Sequence, residues 1–187
     1  MTTEFQRHFG EHLEVVQFSL EKLESVASDS AHAIVTALAA GHKVLTFGNG
    51  GSSAEASHLA EELMGRFRKT RQPFPAISLS SDSGTVTCIS NDFGYDALFE
   101  RQVEAFVQPG DVTVALTTSG KSENVNRALK AAKAKGAVTI ALTGSGGLSG
   151  VEADHVLAVP STDSALIQEV HLMLIHVWCE AIDQALA

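Results

Sequence analysis

The sequence predicts a doubly wound α/β domain: a five-stranded parallel sheet with helices on both faces, a helical lead-in before it and a long helix after it. Three observations carry this. Short β-rich runs alternate with helical periodicity between residues 43 and 160. Two of those runs lead straight into turns rich in glycine and hydroxyls, each followed by good helix formers. The chain has 187 residues, 44% hydrophobic but only 6% aromatic, which suits one core made mainly of Ala, Val, Leu and Ile. Residues 1–187 therefore read as a single domain, with 1–41 as the lead-in and 42–187 as the α/β core and terminal helix.

Residues 4–27 show helical periodicity, marked by Phe5, Leu13, Val16, Leu20, Leu23 and Val26. Asp29-Ser30 reads as a break and cap, and an Ala-rich helix over 30–40 ends at Gly41. The apolar positions of this lead-in have no strand to pack on and suit a second subunit. His8, His12, His32 and His42 read as surface or packing residues.

Lys43–Phe47 is the first strand. Gly48, Gly50 and Gly51 then allow a tight turn with close backbone approach, and Ser52 or Ser53 suits the N-cap of the next helix. Free N–H groups and the helix dipole make such a turn an anion site. It matches neither the phosphate-loop nor the dinucleotide fingerprint, and an ordinary βα turn is the plainer reading. On the helix that follows, His58 and Glu62 are spaced i, i+4 and share a face. Such a pair can hold a divalent metal or move a proton, or it can simply be a solvated helix face.

Gly65–Arg71 is a basic patch, either a phosphate contact or a solvated helix end. Ala76–Leu79 is the second strand, a short helix covers 83–90, Asn91–Tyr95 is a loop, and a helix runs over 96–106. Val112–Thr117 is the third strand. It enters Thr118-Ser119-Gly120-Lys121-Ser122, whose hydroxyls can donate to phosphate oxygens or serve as an N-cap for helix 123–135. Ala137–Leu142 and His155–Pro160 are the last strands. The terminal helix, 163–186, shows an apolar side at Leu166, Val170, Leu174 and Val177, with Gln168 and His176 eight residues apart. In a parallel sheet the ligand site lies at the carboxyl ends of the strands, which puts the pocket between the two turns.

The net charge of −9 argues against nonspecific binding of nucleic acid or an acidic membrane. Cys88 and Cys179 are far apart, with no metal or redox spacing, as expected of a reducing cytosol. No leader segment and no apolar run long enough for a bilayer is evident, so a cytoplasmic location is expected.

Several motifs occur in order: Gly48-Asn49-Gly50-Gly51-Ser52, His58-x-x-x-Glu62-Leu63-x-Gly65-Arg66, Pro75-Ala76-Ile77, Asn91-Asp92-Phe93-Gly94, Thr118-Ser119-Gly120-x-Ser122-x-Asn124-Val125, Leu142-Thr143-Gly144, and Ile167-Gln168-Glu169-x-His171 through His176. Together they resemble the phosphoheptose isomerases of the sugar-isomerase (SIS) fold over nearly the whole chain. The resemblance implies a flavodoxin-like sheet and an aldose–ketose isomerisation of sedoheptulose 7-phosphate to D-glycero-D-manno-heptose 7-phosphate, on the route to bacterial surface heptoses and lipopolysaccharide. It implies Glu62 as the proton-moving base and His176 as its acid/base partner. It implies one zinc ion per subunit, held by His58, Glu62, Gln168 and His176. Asn49, Gly50, Gly51, Ser52, Glu62, Asn91, Asp92, Thr117, Thr118, Ser119, Ser122 and Gln168 are implied to bind the sugar phosphate. It further implies a homotetramer with sites shared between subunits.

The chain departs from the family where Thr117 replaces a common Ser, which keeps the hydroxyl. It also departs where Leu166 replaces a common Arg, a lost cation that Arg66 is expected to supply. Two other readings compete: a non-catalytic SIS protein that binds a replication initiator, and an isomerase or sensor for another phosphosugar. The presence of both Glu62 and His176 favours the enzyme over the first.

Overall fold

The computed structural model describes residues 3–187. Five parallel strands, β1 (Val44–Gly48), β2 (Ala76–Ser78), β3 (Val112–Thr117), β4 (Val138–Thr143) and β5 (His155–Ala158), pair in the order β2-β1-β3-β4-β5. Six helices surround them: α1 (Glu4–Ala39), α2 (Gly51–Met64), α3 (Ser83–Phe93), α4 (Leu98–Phe106), α5 (Glu123–Ala134) and α6 (Ser164–Leu186). This is the expected doubly wound α/β sheet, in the flavodoxin-like order.

The pleat sorts the core into two layers. Val44, Val112, Val114, Leu116, Ile140 and Leu142 pack beneath α1, α2 and α6. Leu45, Phe47, Ala115 and Ala141 face α4 and α5. The central strands β1 and β3 are buried along their whole length, as strands covered on both faces must be.

The lead-in departs from expectation: α1 runs unbroken through Asp29-Ser30. Ser30 is fully buried, its hydroxyl donates back to the Ala27 carbonyl (3.0 Å), and it accepts the Trp178 indole N–H (3.1 Å). A side chain that reads as a cap is thus consumed by a tertiary partner. Thr3 caps α1 instead, in a capping box with Gln6.

Neither Ser52 nor Ser53 is an N-cap. The left-handed Gly50 (φ 57°) takes that place and α2 starts at Gly51. Asn91, Asp92 and Phe93 form the last turn of α3 rather than a loop, ended by Gly94 at φ 84°. The helix expected at 96–106 is a 3-10 turn over Tyr95–Ala97 followed by α4. Contrary to expectation, α6 is long and apolar enough to cross a membrane. Half of its apolar stretch is buried within this fold, where Leu166, Val170 and Leu174 join the core. Val177, expected on the same side, is half exposed.

Phe5, Phe9, Leu13, Phe18 and Leu20 stand exposed on α1. An apolar groove of about 610 Å³ runs between α1 and α6, lined by residues such as Leu20, Leu23, Val35, Met173 and Val177. The start of α1 is pinned to α6 by Glu169. His8 Nε2 lies 2.7 Å from one of its carboxylate oxygens and His12 Nδ1 lies 2.6 Å from the other.

Candidate active site

Because β1 and β3 are neighbours, the turns that follow them lie side by side where the strand order reverses. The first turn is closely packed. A Cβ on Gly48 would meet the Leu116 and Ser52 carbonyl oxygens at 2.8 and 2.9 Å, and one on Gly51 would meet the Gln168 amide at 2.5 Å. Gln168 therefore reaches from α6 over this turn, with its Nε2 3.5 Å from the Ser52 hydroxyl.

The second turn satisfies itself. Thr117 Oγ1 accepts the Gly120 N–H (3.2 Å) and lies 3.4 Å from the Ser122 hydroxyl. Thr118 reaches the Ser164 hydroxyl at the start of α6 (3.2 Å), and exposed Ser119 accepts the Lys121 N–H (3.2 Å). Ser122 sits at the N-cap of α5 without a side-chain cap bond.

Asn49 and Asn124 lace the two turns together. Each carboxamide donates to the other at 2.9 Å, and the Tyr95 hydroxyl donates to Asn49 Oδ1 (2.7 Å). Asn91 and Asp92 sit exposed on the last turn of α3, where Asn91 Nδ2 donates to Asp92 Oδ1 (2.7 Å). Among the described residues neither bonds to the two turns, and Tyr95 just beyond them ties their segment to Asn49.

One face of the α2–α6 seam collects the acid–base groups. His58 and Glu62 come from α2 and His176 from α6, and one ligand atom of each lies within 4.8 Å of the others. His58 Nε2 is 3.1 Å from His176 Nε2 and 3.5 Å from Glu62 Oε1. A tetrahedral zinc ion about 2.0–2.1 Å from each nitrogen sets ligand atoms about 3.3 Å apart, so these spacings fit it. The second nitrogen of His58, Nδ1, lies 3.2 Å from the Glu61 carboxylate, the kind of partner that orients a ligating imidazole from behind. Gln168 lies two turns earlier on α6 and rests on the glycine turn.

Sequence reasoning missed Glu61, Asn124 and Tyr95, whose roles depend on tertiary neighbours. It also missed Glu55. This residue sits on α2 one turn before His58, and its Oε2 is buried without a hydrogen-bond partner among the described residues. Burial lifts its carboxyl to about 8. Its i, i+3 and i, i+7 spacing to His58 and Glu62 was the available signal.

Most of the basic patch is engaged within the fold. Arg68 pairs with Glu180 (2.8 Å), and the Arg71 side chain is 1% exposed against Asp183 (3.0 Å). Exposed Arg66 donates to the Arg68 carbonyl (3.5 Å), while Leu166 is buried in the core. Burial, with the Glu62 carboxylate nearby, pushes the Cys179 thiol up to about 12, which takes it out of thiolate chemistry.

The SIS domain family matches residues 7–144. A phosphoheptose isomerase of Aquifex aeolicus is 48% identical over 185 residues, 98% of this chain and 97% of its own length. The structure of a phosphoheptose isomerase from Francisella tularensis superposes with a TM-score of 0.93 at 34% identity, over 97% of each chain. That of the Neisseria gonorrhoeae enzyme gives 0.86 at 36%, over 95% of this chain and 96% of that one. With the motifs, the sheet order and this likeness over the full length in agreement, the chain belongs to the phosphoheptose isomerases of the SIS domain family.

Proposed function

We propose that this protein interconverts sedoheptulose 7-phosphate and D-glycero-D-manno-heptose 7-phosphate, in the supply of heptose for bacterial lipopolysaccharide. The observation that carries the reading is the meeting of His58, Glu62 and His176 at the α2–α6 seam, on the two helices that meet at the glycine turn. An aldose–ketose exchange moves one proton between adjacent carbons and one between their oxygens. Glu62 takes the carbon-bound proton and returns it to the neighbouring carbon. His176 shuttles the proton between the oxygens. The phosphate rests on the N–H groups of the turn before α5 and on the hydroxyls of Thr117, Thr118, Ser119 and Ser122. Asn49, Gly50, Gly51, Ser52, Asn91, Asp92 and Gln168 hold the sugar chain.

His58, Glu62 and His176 would hold a zinc ion, with Gln168 as the fourth ligand that the family resemblance implies. The donor set, the spacings and the Glu61–His58 contact support it. When bound, zinc supplies positive charge to polarise the sugar carbonyl. The exposed apolar stripe of α1 and the α1–α6 groove support a homotetramer that covers both. A cytoplasmic location suits a sugar phosphate substrate.

The test is turnover of sedoheptulose 7-phosphate by purified protein as isolated, after chelation and after zinc is returned. Activity lost and then restored is the expected result. No turnover in any state by a correctly assembled protein would overturn the assignment.

A further inference from the structure

The basic segment between α2 and β2 has no part in the proposed capture of the sugar phosphate. It touches both helices that carry the candidate metal ligands. We infer that Arg71, Asp183 and Phe67 are positioning residues that set the geometry of the His58/Glu62/His176 cluster. The inference rests on the reading of that cluster as a metal centre.

Arg71 uses four of its five N–H groups. Nε donates to Asp183 Oδ1 (3.0 Å), Nη2 to the Glu62 carbonyl (2.9 Å), and Nη1 to the Leu63 and Gln72 carbonyls (2.9 and 3.1 Å). The Glu62 and Leu63 carbonyls are among those a helix end leaves without an intrahelical partner, and a cation there also complements the dipole. One guanidinium thus fixes the last turn of α2, the turn that bears Glu62, to a carboxylate on α6. That carboxylate, Asp183, lies seven residues beyond His176, two turns along the same face. It also accepts the backbone N–H groups of Arg68 and Lys69, both at 2.9 Å. Burial opposes the charge of Asp183, but these two N–H groups and the Arg71 guanidinium hold its carboxyl below the usual range.

The same segment presents Phe67 to the cluster. Its ring stacks on His176, with centroids 5.5 Å apart and planes 24° from parallel, and the Arg68 guanidinium sits 5.0 Å from the centre of the Phe67 ring. His58 meets His176 edge-on at 5.3 Å. The imidazole of His176 is therefore held between a packed ring and a ligand partner. A metal site split across two helices needs a fixed axial register between them, and partners behind the ligands typically govern affinity by about 10–100-fold.

The test measures zinc affinity of metal-free protein by competition with a chelator. The samples are wild type, Arg71→Lys, Phe67→Leu and the ring-preserving Phe67→Tyr, each with a thermal melt taken without metal. Arg71→Lys keeps the charge but loses the fork; Phe67→Leu removes the stacked ring from a partly exposed site. The expected result is one tight zinc per wild-type chain and about 10–100-fold weaker binding in the first two variants. The kcat should fall with it while KM moves less than about twofold, and Phe67→Tyr should bind as wild type does. Phe67→Leu should melt as wild type does without metal, so it decides the matter if Arg71→Lys fails to fold. Wild-type affinity in a folded Phe67→Leu would overturn the inference. A wild type that binds no zinc would overturn the metal-centre reading, and this inference with it.

Discussion

The two parts of the candidate site are built differently. At the α2–α6 end, His58, Glu62 and His176 are backed by buried charge and aromatic packing: Arg71 against Asp183, and Phe67 against His176. At the turns, Thr117, Thr118, Ser119 and Ser122 are engaged only by neutral hydrogen bonds of 3.2–3.4 Å, to one another, to nearby backbone and, for Thr118, to the Ser164 hydroxyl. A hydrogen bond of this kind contributes about 1 kcal/mol net, and a ligand oxygen can replace it at little cost. Breaking a buried pair such as Arg71–Asp183 costs about 3–5 kcal/mol. On the proposed assignment, the proton transfer falls to the stiff end and the capture of phosphate to the exchangeable one.

Changes at the stiff end should therefore act on turnover, and changes at the turns on binding. The largest effect is expected from Glu62→Gln. It keeps the shape but removes the proton carrier, so kcat should fall by about 10³-fold or more with the melting temperature unchanged. A wild-type rate would remove Glu62 from the chemistry.

The second effect concerns α6, the helix both ends share. Burial pushes the His171 imidazole down to about 4, opposed by its contact with the Thr143 carbonyl. Between that value and the ordinary 6.5 the unfolded chain binds the extra proton and the folded chain does not. Stability should thus be full above pH 6.5 and fall as pH drops towards 4, by up to about 3 kcal/mol. Chemical denaturation across this range checks it, and a His171→Gln variant that kept the same slope would refute the assignment.

Third is Gly51→Ala, whose Cβ would run into the Gln168 amide. The amide is the movable end of a flexible side chain, so it should give way at little cost in stability but leave its place over the turn, lowering kcat/KM. A crystal structure of the variant with Gln168 unmoved would contradict this. The smallest effect is Ser119→Ala, which should raise KM up to about tenfold and leave kcat alone. A loss confined to kcat would place that hydroxyl at the stiff end.

What sequence could reveal follows the same division. Local periodicity located all five strands, and Val112–Thr117 falls on its expected residues. The glycine turn and the i, i+4 pairing of His58 with Glu62 are local too. His176 lies 118 residues from His58 and became a site residue only through the family resemblance. Arg71 and Asp183 are 112 residues apart, and nothing in the basic run distinguishes its one buried arginine from the exposed ones. Ser30 failed as a cap because Trp178, far along the chain, claims its hydroxyl. Glu55 went unnoticed because its environment is set by burial rather than by its neighbours in sequence.

The bracket formed by His8, Glu169 and His12 joins the first turns of α1 to the residue next to Gln168. At 36 residues, α1 is about 54 Å long, while a globule of this size spans roughly 40 Å. Any body that grips Phe5 and Phe9 beside this bracket also loads the helix that carries Gln168. Grip and ligand binding then share one free-energy cycle, and such a cycle is reciprocal: whatever sugar phosphate does to the grip, the grip does to sugar phosphate by the same factor.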